Sequence, residues 1–272
     1  MKSDLKDATF IIPIRIESPD RLRNVITTTA FLLENFDTNI IIKEVDSESV
    51  FKKEALPILE DILEVDIDIN HIFEKSNNSS FHRQRVLNEM IIESKTKIVV
   101  NYDCDVLLPL ESYKTAYDMI LSDEYDVVYP YGQGEYQRQV IPSDEVVSHF
   151  LQTLDYNHLD KHSNFYSSDF GWVQFFNREV YIEGGMENEN FIAYAPEDKE
   201  RFYRFSTLGC NIGRINKFVY HLEHSRSHNS WFNNPHMQTN NNLWEQLQSM
   251  NKEQLKEYYS NQEYLKKYNG QK

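Results

Sequence analysis

Short apolar runs of strand length alternate with helical segments in the first part of the chain, and this alternation constrains the fold more than any other feature. The strand-like runs lie at residues 9–14, 40–45, 67–72 and 97–102. The segments between them predict helices that begin near residue 19, at 49–63 and at 81–93. Because such alternation is typical of parallel sheets, we predict an α/β fold with a mainly parallel central sheet and helices on both faces.

The second part of the chain carries fewer regular signals. Strands are predicted at residues 127–130, 170–176 and 218–222, and a helix is predicted at 197–208. Residues 243–268 form a charged amphipathic segment, which predicts a helical tail with a solvated polar face. The alternatives are that the tail packs on the domain, dimerises or contacts a membrane-bound partner. No internal repeat or flexible linker interrupts the sequence, so we predict a single domain over residues 1–272.

Charge excludes one large class of partner. The chain of 272 residues carries 43 acidic and 28 basic residues, which gives a formal net charge of -15. Such a surface repels phosphate backbones, so we expect no nucleic-acid partner. A local basic site for a small anion is still compatible with this balance.

The cysteines and the apolar runs bear on cellular location. Cys104 and Cys210 show no framework spacing, so we predict no structural disulfide and a reducing, cytoplasmic environment. No stretch approaches the roughly 20 apolar residues of a membrane span. Charged residues interrupt the first apolar run, so no signal peptide is predicted.

Two carboxylates, Asp103 and Asp105, follow the apolar run at 97–102 with one residue between them. Ionised carboxylates at the end of a buried strand repel each other, so the arrangement is costly without a cation. A hard divalent ion accepts oxygen ligands and also binds a diphosphate. The pair therefore predicts a site for a divalent cation and a phosphorylated ligand.

Other polar side chains fall where predicted strands end or helices begin. Arg15 suits a phosphate or a base carbonyl, and Asp46 suits a nucleobase or ribose, because ligands bind at the carboxyl ends of parallel strands. Phe81 and Arg83 open a predicted helix, whose N-terminal end favours anions. The alternatives are a surface charge at Arg15, a helix N-cap at Asp46 and a solvated charge at Arg83.

His221 and His224 lie three residues apart at the end of a predicted strand. This spacing suits ligands that converge on one ion from a turn or loop. Aspartate and histidine on one ion favour Mn²⁺ or a related metal over Ca²⁺. A purely structural histidine pair is the alternative.

Glu197 and Asp198 begin a predicted helix in the second half. They include a candidate general base for a hydroxyl, although acidic residues in a first helical turn are also common because of the helix dipole. The aromatic residues of the same region either stack on sugar rings or pack in the core; they are Trp172, Phe191, Tyr194 and Trp231.

Taken in order, these segments resemble the inverting, metal-dependent glycosyltransferases of the GT-A fold. More narrowly, the chain resembles the β-1,4-galactosyltransferase family and its bacterial chondroitin-polymerase-type relatives. The resemblance covers about residues 9–230. It rests on Ile11-Ile12-Pro13-Ile14-Arg15, Phe81-His82-Arg83, Asp103-Cys104-Asp105, Phe170-Gly171, the segment from Gly184-Gly185 to Glu197-Asp198, and His221-Leu222-Glu223-His224-Ser225-Arg226.

The resemblance implies roles for the residues that match the family's motifs. The nucleotide sugar would be contacted by Arg15, Phe81, Arg83 and Asp103, together with Asp46 from its strand end. Mn²⁺ or another divalent cation would be held by Asp105, His224 and His221. Asp198 would be the catalytic base, and the sugar and acceptor would contact Glu197, Tyr194, Gly171 and Trp172.

The implied reaction transfers a hexose or N-acetylhexosamine of the galactose type from a UDP-sugar to a glycan hydroxyl, with inversion. Residues 9–130 would bind the nucleotide sugar, residues 131–240 would bind the acceptor, and 243–268 would form the tail. A role in bacterial surface polysaccharide synthesis follows from the relatives. Expected partners are the donor, the glycan acceptor and membrane-bound acceptor or assembly proteins at the inner face of the membrane.

Two alternatives stay open at this point. A nucleotidyltransferase or sugar-nucleotide pyrophosphorylase also binds a metal-nucleotide through carboxylates, but it usually carries a glycine-rich loop near the N-terminus, and residues 13–19 contain no glycine. A non-catalytic nucleotide- or glycan-binding relative would keep the fold without turnover. Released UDP discriminates between these classes.

Overall fold

The computed structural model describes residues 2–64, 67, 69–168, 170–230 and 233–268. Its strands are β1 (Ser3–Ile14), β2 (Phe36–Asp46), β3 (Asn70–Lys75), β4 (Ile98–Tyr102), β5 (Val106–Leu107), β6 (Val127–Tyr129), β7 (Gln137–Val140), β8 (Ser163–Phe165), β9 (Val173–Asn177), β10 (Ile212–Arg214) and β11 (Val219–Leu222). Its helices are α1 (Pro19–Asn35), α2 (Leu56–Leu63), α3 (Arg83–Glu93), α4 (Leu110–Leu121), α5 (Asp144–Thr153), α6 (Tyr156–Lys161), α7 (Arg178–Glu183), α8 (Glu197–Leu208), α9 (Met237–Leu247), α10 (Lys252–Ser260) and α11 (Glu263–Tyr268). A π-helical turn, Phe51–Ala55, leads into α2.

The central sheet has the strand order β10-β6-β9-β4-β1-β2-β3. Its pairings are parallel except for those of β9, which is antiparallel to both β4 and β6. The apolar residues of β1, β2 and β4 are buried because the middle of this sheet is covered by helices, whereas the edge strand β3 is half-buried to exposed. The predicted α/β class, with a mainly parallel central sheet, is confirmed.

A smaller sheet has the strand order β5-β11-β7-β8. The predicted strand at 218–222 is present as β11, but it belongs to this second sheet. There it pairs with the two-residue strand β5 on one side and with β7 on the other. This sheet is not predicted from the sequence, because its strands are too short to give a periodic pattern.

Parallel strands bring several candidate site residues to one edge of the central sheet. β1 pairs with β4 on one side and with β2 on the other, in parallel register. Their carboxyl ends are followed by Arg15, Asp103 and, at the end of β2, Asp46. This edge is where an open α/β sheet binds its ligands.

The C-terminal segment is not the single helix predicted at 243–268. It consists of α9, α10 and α11, and α10 begins at a capping box in which Asn251 and Gln254 exchange hydrogen bonds. Asn251 caps the first turn of α10, and α9 has already ended at Leu247. No helix among the described residues combines the length and the apolar character needed to cross a bilayer.

The same segment packs on α8 through Tyr259, which is 5% exposed. The Tyr259 hydroxyl donates to Glu200 at 2.5 Å and accepts a hydrogen bond from Asn188 at 3.0 Å. Its ring also lies under the guanidinium of Arg204, with 4.4 Å between the carbon and the ring centre. The tail is therefore part of the support of α8 and not only a solvated face.

Tyr259→Ala is expected to lower the free energy of unfolding by about 3–5 kcal/mol, the usual range for loss of a buried aromatic ring. The variant also removes the hydroxyl that partners Glu200. Urea unfolding followed by circular dichroism measures the loss. The neighbouring Tyr258→Ala changes a half-buried ring and should cost clearly less; equal losses would contradict the role given to Tyr259.

Candidate active site

One cleft collects nearly all the predicted site residues. It is lined by Arg15, Phe81, Arg83, Asp103, Asp105, Gly171, Trp172, Tyr194, Glu197, Asp198, His221 and His224, among others. Asp46 lies in an adjoining hollow that shares Arg15 with the cleft. The cleft sits where β1, β4 and β11 end, so three strand ends supply its polar side chains.

The three candidate metal ligands meet because β5 pairs with β11. Asp105 directly precedes β5, and the antiparallel pairing sets Val106 opposite His221. The amide of Leu222 donates to the carbonyl oxygen of Asp105 at 2.7 Å. Backbone pairing between distant segments therefore brings the aspartate and the histidines together.

Asp105, His221 and His224 are buried, and each offers a ligand atom within 4.8 Å of the other two. Nε2 of His224 lies 3.1 Å from Oδ2 of Asp105, and Nε2 of His221 lies 3.8 Å from its Oδ1. Burial opposes ionisation of Asp105, but the nearby His221 and the hydrogen bond from His224 outweigh it and hold the pKa of Asp105 below its usual range. The cluster thus presents an ionised carboxylate and two imidazoles to one small volume.

The donor set fits a divalent transition metal such as Mn²⁺. Nδ1 of His224 lies 2.9 Å from the carbonyl oxygen of Ser225, which fixes the ring and leaves Nε2 facing Asp105. Metal-binding histidines usually engage their second nitrogen in this way. Elsewhere in the described part of the chain, no other three His, Cys, Asp or Glu side chains converge so closely.

Helix α1 holds the backbone on both sides of this cluster. Nδ2 of Asn24 donates to the carbonyl oxygen of Leu222 at 2.9 Å. The hydroxyl of Thr28 donates to the carbonyl oxygen of Cys104 at 2.8 Å. Both side chains are fully buried, so these bonds fix the relative position of the two ligand-bearing segments.

The loop after His224 is tied to the first turn of α1 through Asp20. The Asp20 carboxylate accepts hydrogen bonds from the amide and hydroxyl of Ser225 and from the hydroxyl of Ser18. Although burial opposes ionisation, these bonds lower the pKa of Asp20 to about 2. The tie is therefore lost only in strong acid.

Asp103 is paired with Arg83 and lies outside the histidine cluster. Nη2 of Arg83 donates to the Asp103 carboxylate and, at 3.3 Å, to Oδ1 of Asn101. Burial raises the pKa of Asp103 to about 6 even though Arg83 favours its ionised form. The negative charges of Asp103 and Asp105 therefore have different partners: the Arg83 guanidinium for Asp103, and the His221 and His224 imidazoles for Asp105.

Arg15 joins two backbone segments at one end of the cleft. Its Nε donates to the carbonyl oxygen of Val45 at 2.8 Å, and its Nη1 donates to those of Asn78 and Ser79 at 3.0 and 3.1 Å. The guanidinium carbon lies 5.4 Å from the ring centre of Phe81. Arg15 therefore shapes this end of the cleft and is more than a surface charge.

Asp46 does not cap the following helix, which was the alternative for this residue. Its Oδ1 accepts from the amide of Ser47 at 2.7 Å. The amides of Val50 and Phe51 are instead bound by the buried carboxylate of Glu44, at 2.8 and 3.0 Å. Asp46 is left at the adjoining hollow, where a polar ligand group would reach it.

Glu197 and Asp198 occupy the first turn of α8 and line the cleft. The Asp198 side chain is 28% exposed and forms an ion pair with Nη2 of Arg201 at 3.0 Å. Glu197 is buried, and its Oε2 makes no hydrogen bond with the described residues. Burial, followed by the charge of Asp198, raises the pKa of Glu197 to about 8, so the two neighbours offer a hydrogen-bond donor and a carboxylate side by side.

The Asp198 carboxylate lies close to Gly171, and it has room there because glycine carries no side chain. A β-carbon at Gly171 would lie 3.0 Å from Oδ2 of Asp198 and 3.2 Å from the hydroxyl oxygen of Ser168. The carbonyl oxygen of Gly171 also accepts from Nε2 of Gln174 at 2.7 Å. A larger residue at this position would crowd the carboxylate.

Trp172 adopts a φ of 72°, a left-handed conformation that is rare for a bulky residue. Its ring stacks on His221, with the centroids 6.1 Å apart and 21° between the planes. Its carbonyl oxygen accepts from the amide of Asp103 at 2.9 Å. Trp172, in its strained conformation, therefore contacts both His221, a candidate metal ligand, and the backbone of Asp103.

Two buried asparagines hold the segment that carries Tyr194. Nδ2 of Asn234 donates to the carbonyl oxygens of Ile192 and Tyr194, at 3.1 and 2.9 Å. Nδ2 of Asn240 donates to those of Ile192 and Ala195, at 3.0 and 3.1 Å. Tyr194 is thus presented from a fixed wall of the cleft, with 41% of its surface exposed.

The other two aromatic candidates differ from Trp172 and Tyr194. Phe191 is fully buried and packs with Leu247, Leu255 and Tyr259, so its role is in the core. Trp231 lies outside the described residues. Of the three aromatic candidates that the structure describes, Trp172 and Tyr194 therefore line the cleft.

Glu197→Gln is expected to raise the free energy of unfolding, by an amount that grows with pH. An unfolded glutamate ionises near pH 4.3, whereas burial keeps Glu197 protonated to about pH 8 in the folded state. The native state of the parent protein therefore loses stability as the pH rises from about 5 to 8, with a slope of up to about 1.4 kcal/mol per pH unit. Glutamine does not ionise, so the variant should not lose this stability as the pH rises.

Urea unfolding of parent and variant at pH 5, 6, 7 and 8 measures the trend. Glu183→Gln, which changes an exposed carboxylate and keeps Glu197, is the control and should show the same pH dependence of stability as the parent. A difference between Glu197→Gln and the parent that is constant over this range would contradict the assignment.

Several residues that build the site have no signal in the sequence. The clearest of them are Asp20, Asn24, Thr28, Asn234 and Asn240, whose partners are distant in the chain. Arg201 is different, since it follows Asp198 by three positions in a predicted helix. That spacing places the two side chains on one helix face and could have indicated the ion pair.

No family model matches the chain, and no curated protein matches it. Among solved structures, the chain is similar to a mannosyltransferase from Pyrobaculum calidifontis in complex with GDP-Man and Mn²⁺, at 13% sequence identity and a TM-score of 0.47. The similarity covers 80% of this chain and 56% of that one, and at this level it does not extend to function.

Proposed function

We propose that this protein is a metal-dependent, inverting glycosyltransferase of the GT-A fold. It transfers a hexose or N-acetylhexosamine of the galactose type from a UDP-sugar to a hydroxyl of a glycan. The observation that supports this best is one cleft that contains both the cluster of Asp105, His221 and His224 and the carboxyl pair of Glu197 and Asp198. The cluster suits a metal-bound diphosphate, and the pair suits proton transfer from a hydroxyl.

The donor would be held at the strand ends. Bound by Asp105, His221 and His224, Mn²⁺ would supply positive charge against the developing charge of the UDP leaving group. Arg83 would donate hydrogen bonds to the phosphates or sugar from its position beside Asp103. The adjoining hollow, with Asp46, would take the nucleoside.

The acceptor would approach the carboxyl pair. Asp198 would accept the proton of the attacking hydroxyl, and the protonated Glu197 would donate a hydrogen bond to the acceptor sugar. Tyr194 would orient the acceptor from its fixed wall, and Trp172 would form the surface under a sugar ring. One base and one displacement at the anomeric carbon predict inversion.

Released UDP tests the proposal directly. The protein is incubated with a panel of UDP- and GDP-sugars, Mn²⁺ and glycan acceptors, with EDTA as the control. We expect UDP release that requires metal and rises with an acceptor, and a β-linked product from an α-linked donor by NMR.

The same assay distinguishes the alternatives. A nucleotidyltransferase or pyrophosphorylase would release pyrophosphate from a nucleoside triphosphate and a sugar phosphate. A non-catalytic relative would bind UDP without turnover of any donor. Either outcome would contradict the proposed transferase.

A further inference from the structure

Behind Asp198 lies a buried ion pair between Arg201, in α8, and Glu187, in the loop before it. Arg201 is 1% exposed and Glu187 is 1% exposed. Nε of Arg201 donates to Oε1 of Glu187 at 2.6 Å, and its Nη2 donates to Oε2 at 3.0 Å. The Tyr181 hydroxyl also donates to Glu187, so both groups are fixed.

The same guanidinium reaches toward the cleft. Its Nη2 lies 3.0 Å from Oδ1 of Asp198, and its Nη1 donates to Oε1 of Gln174 at 2.9 Å. Gln174 in turn donates to the carbonyl oxygen of Gly171, the residue whose missing side chain leaves room for Asp198. The Arg201 guanidinium therefore fixes the position of the Asp198 carboxylate directly and that of the Gly171 backbone through Gln174.

We propose that Arg201 and Glu187 are positioning residues that orient the Asp198 carboxylate for its role as general base. This inference rests on the proposed function. Glu187 fixes the guanidinium through two hydrogen bonds, from Nε and Nη2, and the same Nη2 forms the ion pair with Oδ1 of Asp198. Oδ2 is then the oxygen left for the acceptor hydroxyl. A lysine at position 201 cannot serve both carboxylates, because an ammonium lacks the fork geometry.

A second buried pair on the same helix provides a matched control. Arg204 is fully buried, pairs with Glu200 at 2.9 Å and donates to the carbonyl oxygen of Met186 at 2.7 Å. It differs from Arg201 in that no contact joins it to Asp198 among the described residues. A purely structural role predicts the same consequences for Arg201→Lys and Arg204→Lys, whereas a positioning role separates them.

The experiment compares kcat, the KM for acceptor, and the Kd of UDP with Mn²⁺ for the two lysine variants. Arg201→Lys is expected to lower kcat about 10- to 100-fold, the scale of a misplaced catalytic group, with the Kd of UDP within about twofold of the parent. Arg204→Lys is expected to lower the melting temperature with kcat within about twofold. Equal loss of kcat in both variants, or normal kcat in Arg201→Lys, overturns the proposal.

A double variant covers the case in which Arg201→Lys fails to fold. Arg201→Met with Glu187→Met removes both charges at once, so no uncompensated charge is left buried. The double variant is expected to fold and to bind UDP with Mn²⁺, with kcat again reduced at least about 10-fold. A folded double variant with the parent's kcat overturns the proposal.

A measurement that does not depend on enzyme activity tests the contact between Arg201 and Asp198 separately from the proposed transferase function. In nitrogen-15 NMR of the arginine side chains, Asp198→Asn should shift the Arg201 signals and leave those of Arg204 in place. Unchanged Arg201 signals overturn the positioning role. A parent protein that releases no UDP from any donor, with the Arg201 shift present, overturns only the transferase.

Discussion

Asp105→Asn should abolish Mn²⁺-dependent binding of UDP, which we expect to be the largest effect of any single substitution. The carboxylate would supply the negative ligand between two imidazoles, at 3.1 Å from His224 and 3.8 Å from His221. An amide keeps the shape but removes the charge. Because loss of a residue that merely supports a ligand already costs 10- to 100-fold in metal affinity, loss of the ligand itself should cost at least about 100-fold.

Calorimetric titration of UDP with Mn²⁺ and with EDTA measures this effect. Cys104→Ala is the matched control, because Cys104 lies between the two aspartates and does not belong to the cluster. The control should bind UDP as the parent does. If Asp105→Asn retains the parent's difference between Mn²⁺ and EDTA, Asp105 is not a metal ligand.

Asp198→Asn should lower kcat by about 100-fold or more, on the usual scale for loss of a general base. The amide cannot accept the hydroxyl proton, but it keeps the side-chain volume beside Gly171, where space is limited. UDP binding with Mn²⁺ should be preserved, because the histidine cluster does not include Asp198.

Steady-state transfer assays and UDP titration together check this expectation. Lys199→Gln changes the next residue, which is exposed, and should have no effect on kcat. Normal turnover by Asp198→Asn would show that another group takes the proton. A loss of UDP binding along with activity would instead place Asp198 in the donor site.

The sequence predicts the central sheet well because its signals are local. The apolar runs at 9–14 and 40–45 fall within β1 and β2, the run at 97–102 contains β4, and the Asp-X-Asp pair follows β4 as expected. Strand ends in a parallel sheet share one edge, so the clustering of Arg15 with Asp103 follows from topology alone.

The smaller sheet could not be predicted, because it depends on contacts between distant segments. β5 is two residues long, and only its pairing with β11 explains why Asp105 and His221 meet. The break before α10 also escaped prediction, since the capping box at Asn251 is embedded in a segment with continuous helical character. In the smaller sheet tertiary contacts decide between local options of similar stability, whereas the capping box is a local signal that the surrounding helical pattern concealed.

The buried ion pairs of the site also could not be predicted from the sequence. Arg201 and Glu187 look like ordinary surface charges by composition, yet both are almost fully buried. Charged residues are rarely buried unless they are paired, and the pairing becomes visible only when the fold brings Glu187 under α8. The pattern of a sequence therefore indicates where carboxylates gather but not which of them are neutralised.

The proposed function requires one divalent cation, bound by Asp105, His221 and His224, to hold the diphosphate of the donor. Anomalous diffraction at the manganese edge, from crystals grown with Mn²⁺ and UDP, tests it most directly. We predict a single strong peak within ligand distance of these three side chains and of both phosphates. A manganese peak elsewhere, or UDP bound in the cleft with no peak at the cluster, would contradict it.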